Sequence, residues 1–233
     1  MVNKLENLIQ SQIEYYRKRS SEYDEWFLRR GRYDYGTEIN QQWFDEVKEV
    51  CQVLEDFNPS GDVLELACGT GWWTEQLARY AKHITAVDAS GEVIAINQQR
   101  LKKFSDKLTY EQADLFQWVP KQQYDVIFFS FWLSHVPPQY FAVFWDMVRK
   151  ALKPTSRVFF IDSLCVTTAT AYNQVMDDKN CINIRYLNDG SKFSIVKIIY
   201  TPSELQKKLL EIGLTNIVMS QTKQYFLVGQ TQK

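Results

Sequence analysis

Residues 62–71 read Asp62-Val63-Leu64-Glu65-Leu66-Ala67-Cys68-Gly69-Thr70-Gly71, and a helical pattern begins at once with Trp72. A short apolar run that ends in glycines directly before a helix opens a parallel-sheet unit. The same rhythm continues downstream. Helical patterns are expected at 72–81, 91–104 and 140–152, and apolar strands at 84–88, 108–114, 125–131 and 157–163. Strands apolar throughout, separated by helices, require a sheet covered on both faces. The expected fold is α/β: a Rossmann-like, seven-stranded, mostly parallel sheet with helices on both faces.

Upstream, Leu5, Leu8, Ile9, Ile13 and Tyr16 recur at helical spacing, and a charged aromatic stretch covers 22–32. Thr37 is the expected cap of a second helix carrying Ile39, Trp43, Phe44, Val47, Val50, Cys51 and Leu54. Downstream of Ser163, residues 182–187 and 191–200 alternate like strands around Asn188-Asp189-Gly190, a hairpin signal. Thr201-Pro202-Ser203-Glu204 combines a cap, a first-turn proline and a capping-box glutamate. Strands at 216–220 and 224–229 close the chain. This gives an N-terminal helical lid at 1–57 and a main domain at 58–233, with a hairpin inserted at about 181–200.

The 233 residues include 27 basic and 28 acidic side chains, two histidines and four cysteines. The formal charge of −1 lacks the footprint of a protein that grips nucleic acid by its phosphates. The longest apolar run, Val126 to Leu133, is broken by Ser130 and falls far short of the ~18 residues a membrane helix needs. Met1 to Gln12 has acids and amides where a signal peptide would be apolar. Cys51, Cys68, Cys165 and Cys181 form no CxxC and read as reduced thiols, so the expected location is cytoplasmic. Seven tryptophans, 13 tyrosines and 14 phenylalanines stand against nine glycines, so the two glycines at 69 and 71 are conspicuous.

Ligands of open α/β sheets sit beyond the carboxyl ends of the strands. Gly69 and Gly71 allow backbone to approach a ligand, and Asp88, at the end of the second strand, suits two ribose hydroxyls. A nucleoside-bearing ligand follows. A dinucleotide fingerprint wants a third glycine where Thr74 stands, and Glu65 would repel a pyrophosphate. A cationic nucleoside without phosphate, such as S-adenosylmethionine, fits better.

Over residues 60–164 the chain resembles the class I S-adenosylmethionine-dependent methyltransferases of the small-molecule type. Glu65 to Gly71 is similar to that family's first motif, with Ala67 where glycine is frequent. Asp88 matches the ribose-binding acid, and Gln112-Ala113-Asp114-Leu115 resembles the segment that meets adenine. Tyr124 to Ser130 resembles the fourth strand, and Leu152-Lys153-Pro154 the turn before the fifth. The resemblance implies S-adenosylmethionine as cofactor, with S-adenosylhomocysteine as product. Its expected contacts are Tyr23, Glu65, Ala67, Gly69, Gly71, Asp88, Ala89, Asp114, Leu115 and Ser130.

Methyl transfer from a sulfonium is an in-line displacement, and holding a nucleophile against the methyl supplies ~7–11 kcal/mol by itself. His135, after the fourth strand, is the candidate catalytic residue, either as general base or as a positioning group. Tyr16, Trp132 and Arg185 are the expected substrate contacts. Arg185 and Lys197 on the hairpin suit an acidic substrate group, and equally a solvated strand face or a dimer contact, whereas the aromatic excess points to a small planar or apolar acceptor. No metal-ligand spacing is present. The expected partner is a small-molecule acceptor, not nucleic acid or membrane, for a monomer or homodimer. The competing readings are an RNA or protein methyltransferase, a non-catalytic S-adenosylmethionine-binding module and, more remotely, a dinucleotide oxidoreductase.

Overall fold

A computed structural model describes residues 4–174 and 181–232. Three helices come first: α1 (Lys4–Lys18), α2 (Tyr23–Phe27) and α3 (Thr37–Phe57). There follow β1 (Gly61–Leu66), α4 (Trp72–Leu77), β2 (Ala81–Asp88), α5 (Gly91–Arg100), β3 (Leu108–Gln112) and β4 (Tyr124–Ser130). Then come α6 (Pro138–Ala151), β5 (Leu152–Ser163), β6 (Ile182–Tyr186) and β7 (Lys192–Val196). The chain closes with α7 (Pro202–Glu211), β8 (Val218–Gln221) and β9 (Phe226–Gln232).

Seven strands form one sheet in the order β3-β2-β1-β4-β5-β9-β8. The first five are mutually parallel, β9 runs antiparallel to β5, and β8 antiparallel to β9. The expected architecture is therefore present, with both closing strands in the main sheet.

The strands read as unbroken apolar runs because successive residues face opposite layers, and both layers are covered. Val63, Phe128, Phe159 and Val228 meet Trp43, Val47, Val50 and Leu54 of α3 on one face. Leu64, Phe129, Phe160 and Leu227 meet Phe144, Trp145 and Val148 of α6 and Leu205 and Leu209 of α7 on the other. Cross-strand phenylalanines stack in both layers. Phe128 and Phe159 lie 6.0 Å apart between ring centres, and Phe129 and Phe160 5.4 Å apart. Each such fully buried ring contributes roughly 1.5–3 kcal/mol. The reading of 1–57 as a lid therefore divides. Helix α3 belongs to the coat of the sheet, whereas α1 and α2 lie over the strand ends.

Several boundaries move for local reasons. The cap of α3 is Gly36 (φ 88°), and Thr37 is the first helical residue without a capping bond. Helix α4 stops at Leu77 and β2 begins at Ala81, so the helix is shorter and the strand longer than the pattern suggests. Strand β5 starts at Leu152, because an irregularity at Pro154-Thr155-Ser156 carries the chain from the Tyr124↔Leu152 pair to Val126↔Arg157 without leaving the sheet. Thr155 takes φ 66° there. The capping box at Thr201 and Glu204 is present as expected.

Strands β6 and β7 pair as a separate antiparallel ribbon, and α1 lies on it. Tyr15 packs with Leu187, Ile195 and Phe193. Gln12, buried in this seam, donates to the His135 carbonyl at 3.1 Å and accepts from the Val196 N–H at 3.0 Å. Lid and hairpin thus roof the carboxyl ends of β1, β2 and β4 together. Among the described residues, no helix is long and apolar enough to cross a membrane.

Candidate active site

Beyond β1 the chain passes through Ala67 (φ 54°), Gly69 (φ 54°) and Gly71 (φ 93°), left-handed conformations that turn the backbone back toward β2. The Cys68 N–H reaches the Val87 carbonyl at 3.1 Å, and the Gly69 N–H reaches Oδ2 of Asp88 at 3.0 Å. Asn97, wholly buried in α5, holds the loop from behind. Its amide donates to the Gly69 carbonyl (3.2 Å) and to Thr74 Oγ1 (2.9 Å), and it accepts from Tyr110 (2.9 Å). A Cβ on Gly71 would lie 2.6 Å from Cγ of Asn97. That position demands glycine both for its φ and for its space.

Asp88 closes the loop, its second oxygen accepting from the Ser90 N–H at 3.0 Å. Burial pushes its pKa up, against the pull of three backbone N–H groups. A cavity of about 710 Å³ opens here. Its wall contains Tyr23, Ala67, Gly69, Asp88, Ala89, Asp114, Leu115 and Ser130, eight of the ten expected cofactor contacts. The other two stand elsewhere. Gly71 shapes the turn, and Glu65 is buried behind it, with burial pushing its carboxyl up to about 8. Among the described residues, Oε2 of Glu65 has no hydrogen-bond partner. The residues present fit S-adenosylmethionine. The half-buried Asp88 carboxylate, bonded to backbone N–H groups, retains lone pairs for a ribose diol, beside backbone bare of side chains and an apolar wall at Leu115.

The lid is tied to this loop by a residue outside the expected contacts, although it is the neighbour of one of them. Asp24 of α2 pairs with Arg100 at the end of α5 and accepts from Thr70 Oγ1 at 2.6 Å. The clue was available in part, as a carboxylate beside Tyr23. Asn97 and Arg100 offered none, because only the βαβ crossover brings α5 under the glycine loop.

A second cavity, about 630 Å³, adjoins the first, and both are walled by Tyr16, Tyr23, Phe131 and His135. The second is otherwise lined by α1, the hairpin and the segment after β5, including Tyr15, Arg19, Tyr33, Gln174, Arg185 and Lys197. Of the expected substrate contacts, Arg185 lines this cavity, Trp132 lines the cofactor cavity, and Tyr16 belongs to both.

His135 is buried with both ring nitrogens engaged. Nδ1 lies 2.6 Å from the Val196 carbonyl, which only accepts, so Nδ1 carries the hydrogen. Nε2 then accepts from the Tyr16 hydroxyl at 2.8 Å. Burial first, and then Lys197 and other nearby cations, hold the His135 pKa well below its usual value. Burial also pushes the Tyr16 phenol well above its usual range, so it remains a donor. Lys197 donates to Ser134 Oγ at 2.8 Å and lies 3.6 Å from Asp162.

A methyltransferase domain family matches residues 63–155. The solved "DhpI-SAM-HEP complex" is 35% identical over 97% of this chain and 98% of that one, with a TM-score of 0.79. A ubiquinone biosynthesis O-methyltransferase of Nitrosospira multiformis is 24% identical over 76% of this chain and 77% of its own. Nodulation protein S of Sinorhizobium fredii is 36% identical over 69 residues, and there the chain spans about a third of the relative's length (32%).

Proposed function

Because this chain belongs to the class I S-adenosylmethionine-dependent methyltransferases, we propose that it methylates a small molecule held in the second cavity. The carrying observation is the wall shared by Tyr16, Tyr23, Phe131 and His135, which puts a partly open acceptor pocket directly beside the cofactor residues. The cofactor supplies a methyl already activated on a sulfonium. Asp88 would hold the ribose, Asp114 and Leu115 the adenine, and Gly69, Ser130 and Tyr23 the methionine end. Tyr16 and the lid exclude water and fix the acceptor.

In this reading His135 positions Tyr16 and is not a base, since its Nε2 lone pair is occupied by the Tyr16 hydroxyl. A pocket roofed by α1 and the hairpin favours a small acceptor over RNA or a folded protein, as does the formal charge of −1. Burial pushes the thiols of Cys51 and Cys68 up, Cys51 to about 11, which suits a reducing, cytoplasmic setting.

The test is thermal unfolding with S-adenosylhomocysteine against NAD, followed by a metabolite panel with labelled S-adenosylmethionine. Stabilisation by the former alone and label in a small molecule are expected. Stabilisation by NAD alone, or label only in RNA or protein, overturns the proposal.

A further inference from the structure

Three cavities meet under the lid. Beside the cofactor cavity and the second cavity, a third of about 350 Å³ opens below α2, against Thr70, Gly71 and Trp72. It shares Ala67, Gly69 and Ser130 with the cofactor cavity, and Trp26 with the second cavity. Among the described residues, Tyr23 and Phe131 are the two that line all three. The junction therefore lies between a ring of the lid and a ring at the end of β4.

Phe131 is held there in an unfavourable backbone conformation. Its φ of 53° is left-handed, an outlier for so bulky a side chain. Its N–H bonds the Ile161 carbonyl at 2.8 Å, which fixes the turn against β5. Outlying backbone of this kind gathers at ligand clamps. The ring stands edge-on to Trp26, with centres 4.7 Å apart at 88°, and tilted to Phe226. Among the described residues, no cation is stacked on it. Tyr23 abuts the cofactor loop, since a Cβ on Gly69 would lie 3.9 Å from its ring. Burial pushes the Tyr23 phenol up to about 12, so this side of the junction stays uncharged. Arg19 already sits 4.9 Å from the Tyr23 ring centre, which leaves Phe131 as the aromatic face open to a further positive charge.

A sulfonium carries three arms: a nucleoside, an amino-acid chain and a methyl group. Three cavities that meet at one point match them. The nucleoside belongs with Asp88 and Asp114, the chain with Thr70, and the methyl toward the second cavity. Aromatic faces attract cations, and a neutral thioether forfeits that attraction. Resting on the reading of the second cavity as the acceptor site, we infer that Tyr23 and Phe131 clamp the sulfonium, and that the Phe131 face makes this chain prefer S-adenosylmethionine over S-adenosylhomocysteine. Phe131 loses its cationic partner once the methyl has gone, which favours release of the product.

The test is isothermal titration of the full chain with each of the two ligands. Phe131 is replaced in turn by mono-, di- and trifluorophenylalanine, which drain negative charge from the ring face and keep its shape. The preference for S-adenosylmethionine is expected to fall stepwise, by about two- to thirtyfold over the series, while the affinity for S-adenosylhomocysteine holds steady. Phe131→Leu, which meets the same backbone demand without a ring, should lose the preference, and Phe131→Tyr should keep it. If Phe131→Leu does not fold, the fluorinated series still decides. A flat series, or an equal fall for both ligands, overturns the clamp and leaves the acceptor reading intact. Binding of neither ligand by the wild type strikes the cofactor assignment and the clamp together. Label that reaches only RNA or protein strikes the acceptor reading, and the titrations still decide the clamp.

Discussion

The Tyr16 hydroxyl donates to Nε2 of His135 at 2.8 Å, joining the lid helix to the loop after β4 across 119 residues of sequence. A general base needs an open lone pair, and this bond fills it. Tyr16→Phe and His135→Gln should therefore damage the same thing. Each is expected to raise KM for the acceptor, with kcat within about tenfold of wild type, short of the ~10²–10⁴ lost with a true base. In a double-mutant cycle the two losses should overlap by about 1 kcal/mol. A hundredfold fall in kcat for His135→Gln, with a new inflection in the pH profile, would assign it to proton abstraction.

The same histidine sets a pH dependence of folding. Burial holds its folded pKa well below the usual ~6.5 of an unfolded chain, so the fold resists a proton that the unfolded chain accepts. Its contribution to stability is complete above ~6.5 and is lost as pH falls toward the folded pKa, with a slope of at most ~1.4 kcal/mol per pH unit. Urea midpoints at pH 7.5 and 5.5 should diverge more in wild type than in His135→Gln. Equal divergence would mean the ring titrates normally.

Glu65 works in the opposite sense. Burial pushes its folded pKa up to about 8, so the protonated form is favoured in the fold. Its contribution is complete below the unfolded value and disappears as pH rises through about 8. Glu65→Gln, which fixes the neutral shape, should be more stable than wild type at pH 8 without cofactor, and equal to it at pH 4.5. Chemical denaturation at the two pH values decides. A less stable variant at pH 8 would show that the charged form is satisfied in the fold.

Asp88→Ala removes the acid that faces the cofactor cavity. A ligand at one hundred times its dissociation constant stabilises wild type by ~2.7 kcal/mol, and the variant should show almost none of this with S-adenosylhomocysteine. An unchanged shift would separate Asp88 from ribose recognition.

Gly71→Ala meets two obstacles, a φ of 93° and an Asn97 side chain 2.6 Å from the new Cβ. A loss of about 1–3 kcal/mol is expected from the backbone conformation alone. Pairing it with Asn97→Ala removes the steric part, so the combined loss should fall short of the sum. Strict additivity in denaturant melts would place the whole cost in φ.

The central sheet was legible because each strand carries its own pattern, and Gly69 and Asp88 because strand ends are where open sheets bind ligands. The acceptor half was not. Arg19 lies beside Tyr15, Tyr23, Tyr33 and the hairpin only after α1 and α2 have crossed the strand ends, and no periodicity encodes that crossing. Glu65 misled for a related reason. A strand-end position fixes the level of a side chain but not which face it takes, and Glu65 turns toward Thr74 and away from the cavity. Thr37 was read as a cap on residue preference, where Gly36 supplied the required backbone conformation.

Gln12 bonds at once to the loop after β4 and to β7, and Tyr15 is wedged into the same ribbon. Two segments more than 160 residues apart in the gene product therefore meet as a single mould around the acceptor, while the cofactor loop is braced independently by Asn97. Descendants of this chain would be free to change acceptor by altering α1 and the hairpin together, with no penalty in cofactor recognition. A change confined to one of them would leave the other mismatched, so the two segments should drift through evolution as a pair.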